Sequence, residues 1–82
     1  MEEKIKNVMS IVLEVPAEEI KEDSSFRNLE NWDSLNHMKL IAALEEEFNI
    51  QLNEQDIIEM QSFKLIRHIL STYVKKASVS NA

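Results

Sequence analysis

The apolar residues of this chain recur at helical spacing in several runs. Ile5, Val8, Met9, Val12 and Leu13 fall three or four apart, which predicts an amphipathic helix over 2–13 with one apolar face. Glu2 and Glu3 suit its positive end, and Pro16, with no N–H to give, bars it from running on. Leu40, Ile41, Leu44 and Phe48 form a second stripe, predicting a helix over 34–49. Asn53 with Asp56 three residues on has the form of a capping box, Asp standing for Glu or Gln, and starts a short third helix over 54–60. Ser62 then caps a fourth over 63–76, whose buried face is Phe63, Ile66, Ile69, Leu70, Tyr73 and Val74 and whose C-terminal end suits Lys75 and Lys76. The expectation is an all-α domain of four helices.

The stretch 14–33 is too long for a structureless loop in so small a domain. It is expected to be pinned, with a helical turn over 16–19 started by Pro16 and with Ile20, Phe26 and Leu29 as anchors in the core. The second helix carries a further apolar line, Leu35, Met38 and Ala42, on another face, so one face can pack while the other stays available. Glycine is absent. Turns and helix ends must then rely on Asn, Asp and Ser, and Asn31 and Asn49 are expected to take left-handed backbone. The domain spans 1–76, and 77–82 reads as a frayed, flexible tail.

Length and charge narrow the function. Eighty-two residues make one domain that buries only about 60% of its unfolded surface, leaving little material for both a core and an enzymatic cleft. A binding or carrier module is the natural reading. Fifteen acids against nine bases, a net charge of -6, disfavour nucleic acid and anionic membranes and favour basic protein surfaces. Without cysteine the chain has no thiol of its own, so thiol chemistry would need an imported group. The acidic opening Met1-Glu2-Glu3-Lys4 does not read as a signal peptide, and no apolar run reaches membrane-spanning length, so a cytoplasmic location is expected.

Candidate chemistry concentrates in Asn31-Trp32-Asp33-Ser34-Leu35, at the mouth of the second helix. Asp33 is a good N-cap. The Ser34 hydroxyl would then sit where backbone N–H groups and the helix dipole favour a phosphate. On spacing alone, a serine there is an ordinary first-turn residue. Ser34 and His37, three apart, would make a Ser–His hydrolase only with a third residue to orient the ring and an oxyanion hole, and neither is evident. His68 reads as a surface or boundary residue, and no zinc or EF-hand spacing occurs.

Asp33-Ser34-Leu35, followed by an amphipathic helix ending Ala43-Leu44-Glu45-Glu46-Glu47-Phe48, resembles the acyl carrier proteins, and the likeness extends over 2–76. It implies a four-helix bundle with a long first loop and a short third helix. It also implies that Ser34 bears a 4′-phosphopantetheine group, installed from coenzyme A by an Mg2+-dependent transferase, whose terminal thiol holds acyl groups as thioesters. By the same resemblance, Asp33 is recognised by the transferase as well as capping the helix. Leu35, Met38 and Ala42 contact partner enzymes, Glu45 and Glu46 pair with partner Lys or Arg, and Ile57 and Met60 lie near the acyl pocket. For these residues the plainer alternatives are core packing and a solvated charged face. The implied partners are the phosphopantetheinyl transferase, an acyl- or aminoacyl-loading enzyme and a downstream synthase or transferase, with the chain itself a monomer.

The chain departs from the family pattern at several positions. Asn31 stands where many members have Gly, and Asn tolerates similar backbone geometry. Trp32 stands where fatty-acid carriers have small residues. Trp-Asp-Ser resembles specialised carriers, including D-alanyl and polyketide-type ones, and Trp32 either packs over the loop or anchors a partner. Asn36 and Lys39 occupy positions that are acidic in fatty-acid carriers. Since charge complementarity selects partners, these differences imply a dedicated pathway rather than housekeeping fatty-acid synthesis. An aminoacyl or D-alanyl carrier differs only in cargo. An unmodified interaction domain would use Leu35, Met38 and Ala42 for docking alone.

Overall fold

In the computed structural model the chain forms α1 (Glu2–Leu13), a 3-10 turn (Ala17–Glu19), α2 (Ser34–Phe48), α3 (Glu54–Glu59) and α4 (Phe63–Ser80). The structure describes residues 1–80, with side chains described through Val74. α4 runs past Lys76 to Ser80. The helix thus covers 77–80 of the stretch expected as a tail, while residues 81–82 and the side chains of Lys75 and Lys76 lie outside that description.

The helices enclose one apolar cluster with a Cα radius of gyration of 12.2 Å. α1 contributes Ile5, Met9 and Leu13, α2 contributes Leu40, Ile41 and Leu44, and α4 contributes Phe63, Ile66, Ile69 and Leu70. These are the stripes expected from 3.6-residue periodicity, because burying them is what holds each helix in place. α1 packs along α2, and the loop crosses beside them.

The long loop is pinned, though not by all the expected anchors. Ile20 is buried and Leu29 half-buried, but Phe26 is 48% exposed. The tryptophan takes the core place instead: Trp32 is 2% exposed. The backbone decides this exchange. Phe26 N–H donates to the Gln61 carbonyl (3.2 Å) and Phe63 N–H to the Ser24 carbonyl (2.9 Å), an isolated antiparallel bridge that sets Phe26 on the outside of the α3–α4 turn. Asn28 further stiffens the loop, accepting from Ser25 N–H and donating to the Asp23 carbonyl.

The left-handed positions also differ from expectation. Among the described residues, Glu14 and Asn49 have positive φ, 55° and 52°, and Asn31 does not. Asn49 ends α2 as expected. Glu14 ends α1, its N–H and that of Val15 both donating to the Ser10 carbonyl. Asn31 is held by its side chain instead. Its Nδ2 donates to the Leu13 carbonyl at the end of α1 (2.9 Å), and its own carbonyl accepts from Asn36 Nδ2 (2.7 Å). The amide thus satisfies an orphan helix-end carbonyl and ties the end of α1 to the start of α2.

Candidate functional site

Asp33 is extended (φ -107°, ψ -176°) and its Oδ1 accepts from Asn36 N–H at 2.8 Å, while its carbonyl takes the first helical bond from His37 N–H. This is the N-cap geometry expected from its short acidic side chain. Ser34 is the first residue of α2, and it is exposed. Among the described residues, no protein group accepts from the amides of Ser34 and Leu35. An oxyanion attached at Ser34 would meet these free donors and the positive end of a fifteen-residue helix.

Beside Ser34 lies an open groove of about 290 Å³. Asp33, Ser34, His37 and Met38 form its α2 side, Ile57 and Ile58 its α3 side, and Phe26 and Gln61 its end. Of the residues expected near an acyl pocket, Ile57 lines this groove. Met60 does not: it is fully buried, so it can touch neither a partner nor a surface ligand. Phe26 and Ile58 are groove walls that sequence reasoning missed. Phe26 stands in a loop without periodicity, and Ile58 is the exposed neighbour of a residue that packs; an apolar residue left outward on a six-residue helix was the available signal.

His37 is not paired with Ser34. Its Nδ1 accepts from Trp32 Nε1–H at 3.0 Å, and its Nε2 faces the Ile57 carbonyl at 2.8 Å. An indole N–H can only donate and a carbonyl can only accept, so Nδ1 takes the acceptor's part and Nε2 the donor's. Both nitrogens are engaged, so the ring is not poised as a general base for the Ser34 hydroxyl. The Ile57 carbonyl lies in the last turn of α3, and His37 caps it from the neighbouring helix. The planes of the two rings lie 23° apart with centroids at 6.1 Å, as an in-plane hydrogen bond between their edges requires. The reading of Trp32 as a partner anchor is therefore corrected: a buried indole bonded to His37 offers no docking surface.

The other expected contacts divide clearly. Leu35 and Met38 are 66% and 56% exposed, and Ala42 and Glu46 are exposed beside them on α2. Their outward placement excludes the core alternative. Glu45 turns inward instead, its Oε2 accepting from Leu52 N–H at 2.9 Å and fastening the α2–α3 connection. Asn36, read as a mark of partner choice, is committed to the Asn31 carbonyl. Lys39 is exposed, and so is His68. Among the described residues no three His, Cys, Asp or Glu side chains converge as metal ligands, and no helix is long and apolar enough to cross a membrane.

Comparison with known proteins agrees with this geometry. Residues 3–69 match the family model described as a phosphopantetheine attachment site. The chain is similar to the acyl carrier protein of Chlamydia caviae, 39% identical over 62 residues that make up 76% of this chain and 80% of that protein. It is 40% identical over 60 residues to the acyl carrier protein of Clostridium acetobutylicum, covering 73% of this chain and 78% of that one. With that of Buchnera aphidicola it shares 39% identity over 56 residues, 68% of this chain and 71% of its relative. With the attachment-site model matched over 3–69 and acyl carrier proteins matched at 39–40% identity over two thirds or more of their length, the chain belongs to the phosphopantetheine-binding acyl carrier protein family.

Proposed function

We propose that the chain carries acyl intermediates on a 4′-phosphopantetheine group attached through the Ser34 hydroxyl. The observation that carries this reading is Ser34 itself: exposed, first in α2, with unpartnered amides at 34 and 35 and an apolar groove alongside. These residues fit the group. The serine oxygen offers the point of attachment, the helix start favours the diester's negative charge, and Asp33 fixes that start by capping it. When bound, the group supplies the terminal thiol that this cysteine-free chain lacks, on which acyl groups are held as thioesters. The domain's own part is to present the attachment point and to be recognised; it acts as a carrier and not as a catalyst.

Recognition falls to the outward face of α2. Leu35, Met38 and Ala42 supply the apolar contact, and Glu46 supplies a charge for partner Lys or Arg. The partners are a phosphopantetheinyl transferase, a loading enzyme and a downstream synthase or transferase. Lys39, a positive charge exposed on the same helix, supports service in a dedicated pathway. Elongation by generic fatty-acid synthesis enzymes should be poor for this chain, and Lys39→Glu should improve it. Elongation equal to that of their usual carrier would refute the dedicated assignment.

Intact-mass measurement after incubation with coenzyme A, Mg2+ and a broad-specificity transferase tests the attachment. The wild-type chain should gain one phosphopantetheine, and Ser34→Ala none. An unchanged gain in Ser34→Ala, or no gain in the wild type, would remove the proposal. The second result would leave an unmodified docking domain as the reading.

A further inference from the structure

We infer that the hollow between α1 and α2 is a second docking surface, which receives a basic amphipathic helix of a partner protein with Ile11 as its apolar contact and Glu46 and Glu47 as its anionic rim. The inference rests on α2 as the docking helix of the proposed carrier and extends that footprint onto α1.

Val8, Ile11 and Val12 line the α1 side of this hollow and Ala43, Glu46 and Glu47 its α2 side, with a volume of about 230 Å³. Ile11 is 78% exposed, the most open of the large apolar side chains among the described residues. Nothing in the folding of α1 calls for it. Ile5, Met9 and Leu13 supply the core, and a β-branched residue on the outer face is a poorer helix former than Ala, Lys or Glu. A lone exposed isoleucine would carry no meaning. This one neighbours Val8 at helical spacing and faces Ala43, so the apolar surface is continuous and concave. Of the three consecutive acids, Glu45 turns inward to Leu52 N–H. Glu46 and Glu47 are exposed, and among the described residues no Lys or Arg pairs with either.

The acids choose the occupant. A second copy seated about a two-fold axis would crowd the same carboxylates of both chains around one hollow, and anionic lipid or nucleic acid would meet them with like charge. A hollow between two packed helices suits a third helix laid apolar side down, and Lys or Arg on that helix complements Glu46 and Glu47. By itself the hollow is too small for a stable interface. It is continuous with the outward face of α2, because Ala42 adjoins Ala43 and Glu46 belongs to both surfaces. Ala43 and Glu46 follow Ser34 by nine and twelve residues, roughly 14 and 18 Å along the helix. A partner gripping here leaves the Ser34 hydroxyl uncovered.

The test is an NMR titration of the full chain, with Ser34 unmodified, against a short synthetic peptide of leucine and lysine patterned as an amphipathic helix. No transferase takes part, so failed pantetheinylation and failed docking are read separately. Amide and methyl shifts should centre on Val8, Ile11, Val12, Ala43, Glu46 and Glu47. Ile11→Ala should weaken binding roughly tenfold, whereas Leu65→Ala, at an exposed leucine of α4, should leave it unchanged. Glu46→Gln combined with Glu47→Gln should weaken it too and flatten its salt dependence. All four side chains are exposed, so these variants keep the fold. A peptide with serine in place of leucine should bind far more weakly, and one with glutamate in place of lysine not at all. The inference is overturned by no binding, by shifts that spread over the other acidic segments or stay at Leu35 and Met38, or by an affinity that Ile11→Ala or the double glutamine variant leaves unaltered.

Discussion

The two left-handed residues differ in what their side chains cost them. Asn49 tolerates positive φ because a short polar amide can hydrogen-bond locally there, whereas Glu14 carries a longer side chain into the same region. Replacing Glu14 by Gly removes the Cβ clash, worth about 1–2 kcal/mol, and gives back about half of that through a freer unfolded chain. A net gain of below about 1 kcal/mol is expected in urea denaturation, and Asn49→Gly should be nearly neutral by the same measurement. Trp32→Phe keeps most of the buried area but leaves His37 Nδ1 without its donor. That should cost about 1–3 kcal/mol with little change in the denaturant slope. The residue scale also shows what the sequence concealed. Trp32 and Phe26 are both loop aromatics without periodic neighbours, and which of them enters the core follows from the backbone bridge at Ser25 and Ser62, a contact between segments far apart in sequence.

At the scale of elements, α3 is the instructive case. Six residues are too few to be helical alone, so tertiary contacts must hold it at both ends. Asn53 caps the start, accepting from Asp56 N–H at 2.8 Å. The reciprocal half of the expected capping box is completed by a residue from α4: the Tyr73 hydroxyl accepts from Asn53 N–H and donates to the Asp56 carboxylate. His37 holds the other end. Asn53→Ala should therefore cost about 1 kcal/mol, seen as a lower thermal midpoint. The hydrogen bond to Asp56, and then partial burial, push the Tyr73 phenol above its ordinary value. A raised pKa in the folded state means that folded protein holds the proton more tightly than unfolded chain. The associated stability is complete below about pH 10 and is lost as pH rises through the higher folded value. Tyr73→Phe should flatten this alkaline decline in stability, as followed by circular dichroism from neutral to strongly alkaline pH.

Over the whole molecule, Arg67 joins three segments. From α4 its guanidinium reaches Glu2 on α1 and Glu22 in the long loop, and it lies over the Phe63 ring at 5.6 Å. The hydrogen bond from Arg67 holds the Glu22 carboxyl below its ordinary value. Here the sign is opposite to that of Tyr73. The stabilisation is present above the unfolded carboxyl's pKa and disappears as pH falls through the lower folded one. Glu22→Gln should lower Tm slightly at neutral pH and low salt. The difference from wild type should vanish in acid and shrink in high salt, because these carboxylates are solvent-exposed.

The four helices, the stripes that make the core, the caps Asp33, Asn53 and Ser62, and the serine at the start of α2 are legible in the order of the residues alone. All of these follow from local rules: the 3.6-residue period sorts apolar side chains to one face, and a short polar side chain satisfies the first amides of the helix that follows it. That Trp32 and Met60 are core and Phe26 is groove wall emerges only when the helices and the loop are packed together. The inward turn of Glu45 to Leu52 N–H, and the choice of Trp32 and Ile57 over Ser34 as partners of His37, are likewise set by that packing. The physical reason is that burial of a loop residue, or the partner of a long polar side chain, depends on which surface the fold brings against it, and no local periodicity records that meeting.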